Sequence, residues 1–400
     1  MGPMVIVGAG ECGTRAAFAL RENGWAGEIV LLGDEAGLPY ERPPLSKPGE
    51  GGVLRREICD ADAIASQHID YRSGERVAAL DRERHELQLG DGRILGYGKL
   101  LLATGASARA LNCPGSEHAL AFRTHADALS LFGRVRPAGH AVLVGAGLIG
   151  MELASTLRQA GMEVTVLEAG ERAMSRGVPV PLADRLLERH RSEGVEFRLR
   201  AAIERIEADA VLLTDGSRQP ADLVLAAIGV TPNTRLAQQA GLALDNGIVV
   251  DGRLTTSDPD ILAAGDCASF PGLPSGASVR LESWHNARAQ GEHAARVMLG
   301  DGAAFAATPW FWSDQYDLGL QVAGWPSAGR PWLRRDVDGR TSLYFQLDDD
   351  QRLSAAGGLG PGNGVAKDIK LVQMLISKGI RCDAAALQDP AVSLKSLLRG

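Results

Sequence analysis

The sequence predicts an α/β fold in which one strand–turn–helix design is used twice and a further sheet-bearing segment closes the chain. Three observations predict it. Met4-Val-Ile-Val-Gly-Ala-Gly-Glu-Cys-Gly13 is a short apolar run, as in a buried strand, that passes directly into a glycine-rich turn and a helical stretch. Ala141-Val-Leu-Val-Gly-Ala-Gly-Leu-Ile-Gly150 repeats it. Each copy is followed by a second apolar strand ending in an acid: Glu28-Ile-Val-Leu-Leu-Gly before Asp34-Glu35, and Glu163-Val-Thr-Val-Leu-Glu168.

Gly8, Gly10 and Gly13, and again Gly145, Gly147 and Gly150, have G-x-G-x-x-G spacing. The first glycine turns the chain, the second lets backbone approach a pyrophosphate, and the third lets helix and strand pack closely. The helix that follows points its free N–H groups and positive dipole end at the phosphates. An acid about twenty residues further on, here Asp34, accepts from a ribose hydroxyl. Two such Rossmann-like units call for two dinucleotides, or for two halves of one electron-transfer pair.

The other elements follow in order. Pro39-Tyr-Glu-Arg-Pro-Pro-Leu-Ser-Lys47 is held extended by its prolines, with a short helix expected to start at Ser46. It is either a rigid surface loop or a stiff arm that places Arg42 and Lys47 against a cofactor. Val77 to Leu95 alternates as a small antiparallel hairpin set with Asp91-Gly92 as its turn. Lys-Leu-Leu-Leu-Ala103-Thr-Gly-Ala reads as a buried strand that closes the first parallel sheet. Asp184 to Gly194 reads as an amphipathic helix, and Gly194 to Leu213 as strands bounded by Asp215-Gly216. The strand Ala221-Asp-Leu-Val-Leu-Ala-Ala-Ile-Gly229 closes the second unit. Ala-Ala-Gly-Asp266 ends a strand with small residues where backbone lies close to a ligand, so the chain is expected to return to the first unit. Beyond about Phe305, strands at Leu318 to Ala323, Leu343 to Leu347 and Leu353 to Gly357 form an antiparallel sheet. A helix covers it with Ile369, Leu371, Val372, Leu375 and Ile376, and Gly357 to Gly364 reads as a short, ordered link.

Composition narrows the function. At 400 residues the chain holds two or three domains, and a net charge of −7 argues against a nucleic-acid binder. No run of 18 apolar residues occurs and the N-terminus is already a strand, so neither a membrane span nor a signal peptide is expected. The five cysteines, Cys12, Cys59, Cys113, Cys267 and Cys382, include no C-x-x-C and no pair at metal-ligand spacing. That fits a reducing cytoplasm and leaves no metal site or redox dithiol in the usual local form. His285 and His293, eight apart, read as a helix surface feature rather than ligands.

In these motifs the chain resembles the FAD-dependent NADH:ferredoxin reductases of bacterial oxygenase systems. Gly8-Ala-Gly-Glu-Cys-Gly, Pro-Pro-Leu-Ser-Lys47, Ala-Thr-Gly105, Arg123-Thr, Gly145-Ala-Gly-Leu-Ile-Gly-Met-Glu152, Ala-Gly-Asp266-Cys, Glu282-Ser-Trp-His-Asn and Trp310-Phe-Trp-Ser-Asp-Gln-Tyr carry the resemblance along nearly the whole length. The last is quite specific to the family, whereas the glycine motifs are shared by many flavoproteins. The resemblance implies a glutathione-reductase-like α/β architecture with an α+β C-terminal interface domain. FAD would be held by residues 1–107 and 231–304, NADH by 108–230, and residues 305–400 would form the interface domain. It implies a cytoplasmic monomer or weak dimer that binds neither nucleic acid nor membrane. By the resemblance it would take hydride from NADH onto FAD and pass single electrons to a [2Fe–2S] ferredoxin serving a P450 or Rieske oxygenase.

The site residues it implies are specific. Gly8, Ala9, Gly10, Gly13, Asp34, Arg42, Lys47, Val77, Ala103, Arg123, Asp266 and Trp284 surround FAD; Gly145, Gly147, Ile149, Gly150, Glu168, Arg176 and Gly229 hold NADH. Glu168 would favour NADH by repelling a 2′-phosphate, tempered by Arg172 and Arg176. Lys47 and Glu152 would pair beside the flavin, although Glu152 also reads as a first-turn glutamate stabilised by the helix dipole. Trp312 would lie where an electron leaves the flavin, or else is a core aromatic of the last domain. Two other readings use the same doubled design. A flavin-dependent NADH oxidase or disulfide reductase needs a reactive cysteine where Pro-Pro-Leu-Ser-Lys47 stands. A redox-responsive binding protein, like apoptosis-inducing factor, would use its flavin to control assembly.

Overall fold

The computed structural model describes residues 2–272 and 276–399. Met1, 273–275 and Gly400, which fall within the expected first and last domains, lie outside the described residues. Two compact units are present: Met1–Pro44 with Arg55–Ser107 and Val230–Ala307, and Leu45–Leu54 with Ala108–Gly229 and Thr308–Gly400.

In the first unit the strand Met4–Val7 is buried on both faces, as its unbroken Met-Val-Ile-Val requires. It is the centre of a parallel sheet ordered Ile261–Ala263, Lys99–Leu102, Met4–Val7, Ile29–Gly33, Asp70–Ser73. The connection reverses direction at Met4–Val7, so the crevice beyond the carboxyl ends of Met4–Val7 and Lys99–Leu102 is the topological switch point. The helix Glu11–Glu22 lies against the helix Trp284–Met298. They approach so closely that a Cβ on Gly291 would sit 2.2 Å from the Cys12 carbonyl oxygen. Val77–Asp81, Glu86–Leu89 and Ile94–Gly96 make the expected small antiparallel sheet.

In the second unit a parallel sheet ordered Glu196–Leu199, Glu163–Glu168, His140–Val144, Leu223–Ala226, Ala119–Leu120 repeats the design. An antiparallel sheet ordered Trp310–Gln315, Leu318–Gly324, Leu353–Pro361, Ser342–Leu347, Leu333–Asp336 follows. The helix Ala366–Ser377 covers it with Ile369, Val372 and Leu375. Among the described residues no helix is long and apolar enough to cross a membrane.

Four expectations are corrected. The Asp184–Gly194 helix begins earlier, spanning Val180–Ser192, because Pro181 fits the first turn, where its missing N–H has no partner to lose. The stretch at 357–361 is strand, not link; its glycines make room for neighbours, a Cβ on Gly358 falling 2.6 Å from Leu343 Cδ2 and one on Gly357 2.8 Å from Pro179 Cγ. Instead of a helix starting at Ser46, a 3₁₀ turn spans Pro43–Ser46, since prolines favour its φ and cannot donate to a longer helix. His293 is buried against Phe305, not on the helix surface.

Candidate functional site

Both glycine turns divide their labour in the same way. Gly8 has φ +111° and Gly145 φ +104°, conformations side chains rarely adopt. A Cβ on Gly8 would lie 2.1 Å from the Ala103 carbonyl oxygen, and one on Gly145 2.5 Å from that of Ala227. Gly13 and Gly150 press against the carbonyls of Gly8 and Gly145, at 1.9 and 2.2 Å from a built Cβ. Gly10 and Gly147 differ: each is the N-cap of its helix, and a Cβ there meets nothing within 4 Å. The outer glycines therefore serve the protein's own packing, while the middle ones face open space at a helix N-terminus. This is the surface a dinucleotide pyrophosphate fits.

Around the first turn, Asp34 stands exposed at the end of Ile29–Gly33. Its neighbour Glu35 is engaged otherwise, accepting from Tyr40 at 2.5 Å and from Arg42 at 2.8 Å. Ala9 accepts a hydrogen bond from the Thr14 hydroxyl at 3.2 Å. Asp266 sits in the 3₁₀ turn Gly265–Cys267, its carbonyl accepting from Arg280 at 3.2 Å. Trp284 opens its helix beneath the Arg288 guanidinium, 5.6 Å from the ring centroid, and Val77 is buried in the small sheet. Cys12 is packed against Gly265, and burial pushes its thiol well up, so it is no thiolate.

Around the second turn, the Glu168 carboxylate accepts from Ala146 N at 2.8 Å and Gly170 N at 2.7 Å, tying the acid-terminated strand to the glycine turn. Each oxygen retains a further lone pair for a hydroxyl. Arg172 donates to the carbonyls of Met174 and Ser175 in its own loop, whereas Arg176 is exposed, its guanidinium 3.3 Å from a Cβ built on Gly229. Ile149, in the first turn of Leu148–Gln159, leaves 46% of its surface in water. Arg123 precedes a capping box, its N–H and that of Thr124 both reaching Asp127.

Glu152 anchors a cluster that the sequence reveals only in part. It is 4% exposed, one helical turn beyond Ile149. Its carboxylate accepts from the Ser46 hydroxyl at 2.6 Å and the Ser313 hydroxyl at 2.9 Å, with Asp314 N at 3.3 Å. Lys47 Nζ lies 3.2 Å from the same carboxylate and 3.5 Å from Asp314. The pair with Lys47 is thus present, and the reading of Glu152 as an exposed first-turn residue is overturned by its burial. Trp312 stacks on Trp310, centroids 5.1 Å apart, two residues before Asp314. Ser46, Ser313 and Asp314 were not singled out as partners; the signal was their place inside the two quoted motifs. Among the described residues no cluster of His, Cys, Asp or Glu is arranged for a metal ion.

Residues 2–291 match the pyridine nucleotide-disulphide oxidoreductase family model, and residues 310–398 the reductase C-terminal model. The chain is 38% identical over 406 residues to the anthranilate 1,2-dioxygenase system ferredoxin–NAD(+) reductase component of Burkholderia cepacia, covering 99% of both. It is similar to the ferredoxin reductase for the CYP199A2 system from Rhodopseudomonas palustris, with TM-score 0.93, 34% identity and 99% of each chain covered. It is also similar to the reductase in a covalent putidaredoxin reductase–putidaredoxin complex, with TM-score 0.91, 35% identity, and 100% and 98% of the two chains covered.

Proposed function

The chain belongs to the pyridine nucleotide-disulphide oxidoreductase family, and from that premise we propose that it is an NADH-dependent ferredoxin reductase. FAD, when bound, supplies the conversion between a two-electron hydride donor and a one-electron acceptor. The observation that carries the reading is the Lys47–Glu152 pair: a buried carboxylate clasped by a lysine and two serine hydroxyls, with no sulfur among its partners. A disulfide reductase needs a thiol pair at its reacting centre, and the thiols of Cys12 and Cys59 are both pushed up by burial, that of Cys59 to about 11.

The protein's own work is binding and electrostatics. Residues 1–107 and 231–304 hold FAD, with the Gly10 backbone and the N-terminus of Glu11–Glu22 at its pyrophosphate. Asp34 binds the adenosine ribose, Asp266 the ribityl chain, Val77 lies near the adenine, and Ala103 floors the turn. Arg42, Arg123 and Trp284 complete that site. Residues 108–230 hold NADH on the Gly147 backbone, with Ile149, Arg176 and Gly229 lining it and Glu168 accepting from its adenosine ribose. Lys47 supplies positive charge to meet the electron density of reduction, Glu152 holds Lys47 and faces the nicotinamide, and Trp312 lies toward the acceptor. Residues 305–400 form the face that receives a [2Fe–2S] ferredoxin, which in turn serves a P450 or Rieske oxygenase. The enzyme works in the cytoplasm as a monomer or weak dimer, without nucleic acid or membrane.

Purified protein tests the reading. It should carry an oxidised flavin spectrum that NADH bleaches anaerobically, at lower concentration than NADPH does. A colourless protein that does not take up FAD, or a flavin indifferent to NADH, contradicts it.

A further inference from the structure

We infer that His190, far along the chain from either glycine turn, is a positioning residue for Glu152, acting through a hydrogen-bonded chain that runs in one direction. The inference rests on the reading of Glu152 as the nicotinamide-facing carboxylate. The members are Tyr316, His190, Gln315, Ser313 and Glu152, joined at 3.2, 2.9, 3.0 and 2.9 Å. His190 and Gln315 are wholly buried, Ser313 is 1% exposed and Glu152 4%.

The direction follows from the acceptor end. A carboxylate oxygen offers no proton, so the Ser313 hydroxyl donates to Glu152 Oε1. Having spent its single proton, Ser313 accepts from the amide of Gln315, which fixes Nε2 toward Ser313 and Oε1 toward His190. An amide oxygen requires a donor, so His190 carries its proton on Nε2. Nδ1 is then bare and accepts from the Tyr316 hydroxyl. Every donor points toward Glu152, and neighbouring hydrogen bonds so aligned polarise one another.

The outer end is held in place as well. Tyr316 adopts φ +56°, a strained conformation for a tyrosine, in the turn between Trp310–Gln315 and Leu318–Gly324. The Arg189 guanidinium covers its ring at 4.9 Å and pairs with Glu193 and Asp317, and Arg340 reaches Asp317 too. The edge of Phe197 closes the side of the His190 ring, 5.9 Å between centroids. A buried imidazole with both nitrogens committed and no room to turn sets a single orientation of the Ser313 hydroxyl. That hydroxyl and the Ser46 hydroxyl hold the two oxygens of Glu152 where Lys47 meets them.

The test compares His190→Leu with His190→Gln, whose amide N–H reaches the place of the imidazole Nε2–H. Wild-type protein should show the Nε2–H tautomer at His190 by ¹⁵N–¹H correlation between pH 6 and 8. In single-turnover reduction of bound flavin by NADH, His190→Leu should lower the limiting rate about tenfold, with little change in the apparent Kd for NADH. His190→Gln should recover most of that rate even though both variants melt at lower temperature. An Nδ1–H tautomer overturns the inference, as do equal rate losses in the two variants or a wild-type rate in His190→Leu. Wild-type flavin that NADH fails to reduce would refute the functional reading alone, and the ring tautomer would still decide the chain.

Discussion

Glu152 illustrates what a single residue gains from its surroundings. A glutamate near the N-terminus of a helix ordinarily faces water, where the helix dipole favours it modestly. Here it is buried, and it keeps its place through donors from two separate stretches of chain: Ser46 with Lys47, and Ser313 with the Asp314 amide. His190 behaves conversely, since burial above all pushes its imidazole down to about 4 from 6.5. Between those values the unfolded chain binds a proton that the folded chain refuses. His190's contribution to stability is therefore complete above pH 6.5 and drains away as pH falls toward 4. Denaturant unfolding at pH 7.0 and 4.5 should show wild type losing about 2 to 3 kcal/mol more than His190→Gln over that interval. Equal losses would mean that the ring titrates freely in the folded protein.

The two glycine turns are built alike, an outer pair of glycines packed against carbonyls and a middle one left open. Their spacing was fully legible in the sequence, because three glycines at fixed intervals after a buried strand have few other uses. Their division of labour was not, since it depends on which carbonyls lie opposite. Gly145→Ala puts a methyl group into the Ala227 carbonyl at a positive φ and should cost several kcal/mol of stability. Gly147→Ala meets no protein atom and has φ −75°, so its melting temperature should stay within a degree or two while the KM for NADH rises about tenfold or more. If Gly147→Ala bound NADH normally, the middle glycine would not be the pyrophosphate contact. The strand at 357–361 and the helix start at Val180 were misread for a related reason. Packing of Pro179, Leu182 and Leu343 against the strand's glycines makes those glycines part of the fold, and no local pattern encodes that contact.

For the molecule as a whole, the doubled design and the sheet at the end of the chain were visible from periodicity and repetition. Hydrophobic period and turn chemistry report on local structure directly. The Lys47–Glu152 pair aside, which the family resemblance implied, the sequence withheld the partnerships between distant segments: Ser46 and Ser313 about one carboxylate, His190 on Gln315, Arg280 on the Asp266 carbonyl. Such contacts follow from packing, and no spacing rule encodes them. The functional account joins both levels, for it needs two nucleotide cradles and a reacting centre built from charge and hydroxyls in place of sulfur. The measurement that tests it most directly is NADH-driven cytochrome c reduction by the FAD-loaded protein, with and without an added [2Fe–2S] ferredoxin, before and after thiol alkylation. The account predicts a rate that rises and saturates with ferredoxin and survives alkylation. A rate indifferent to ferredoxin, or one abolished by alkylation, would contradict it.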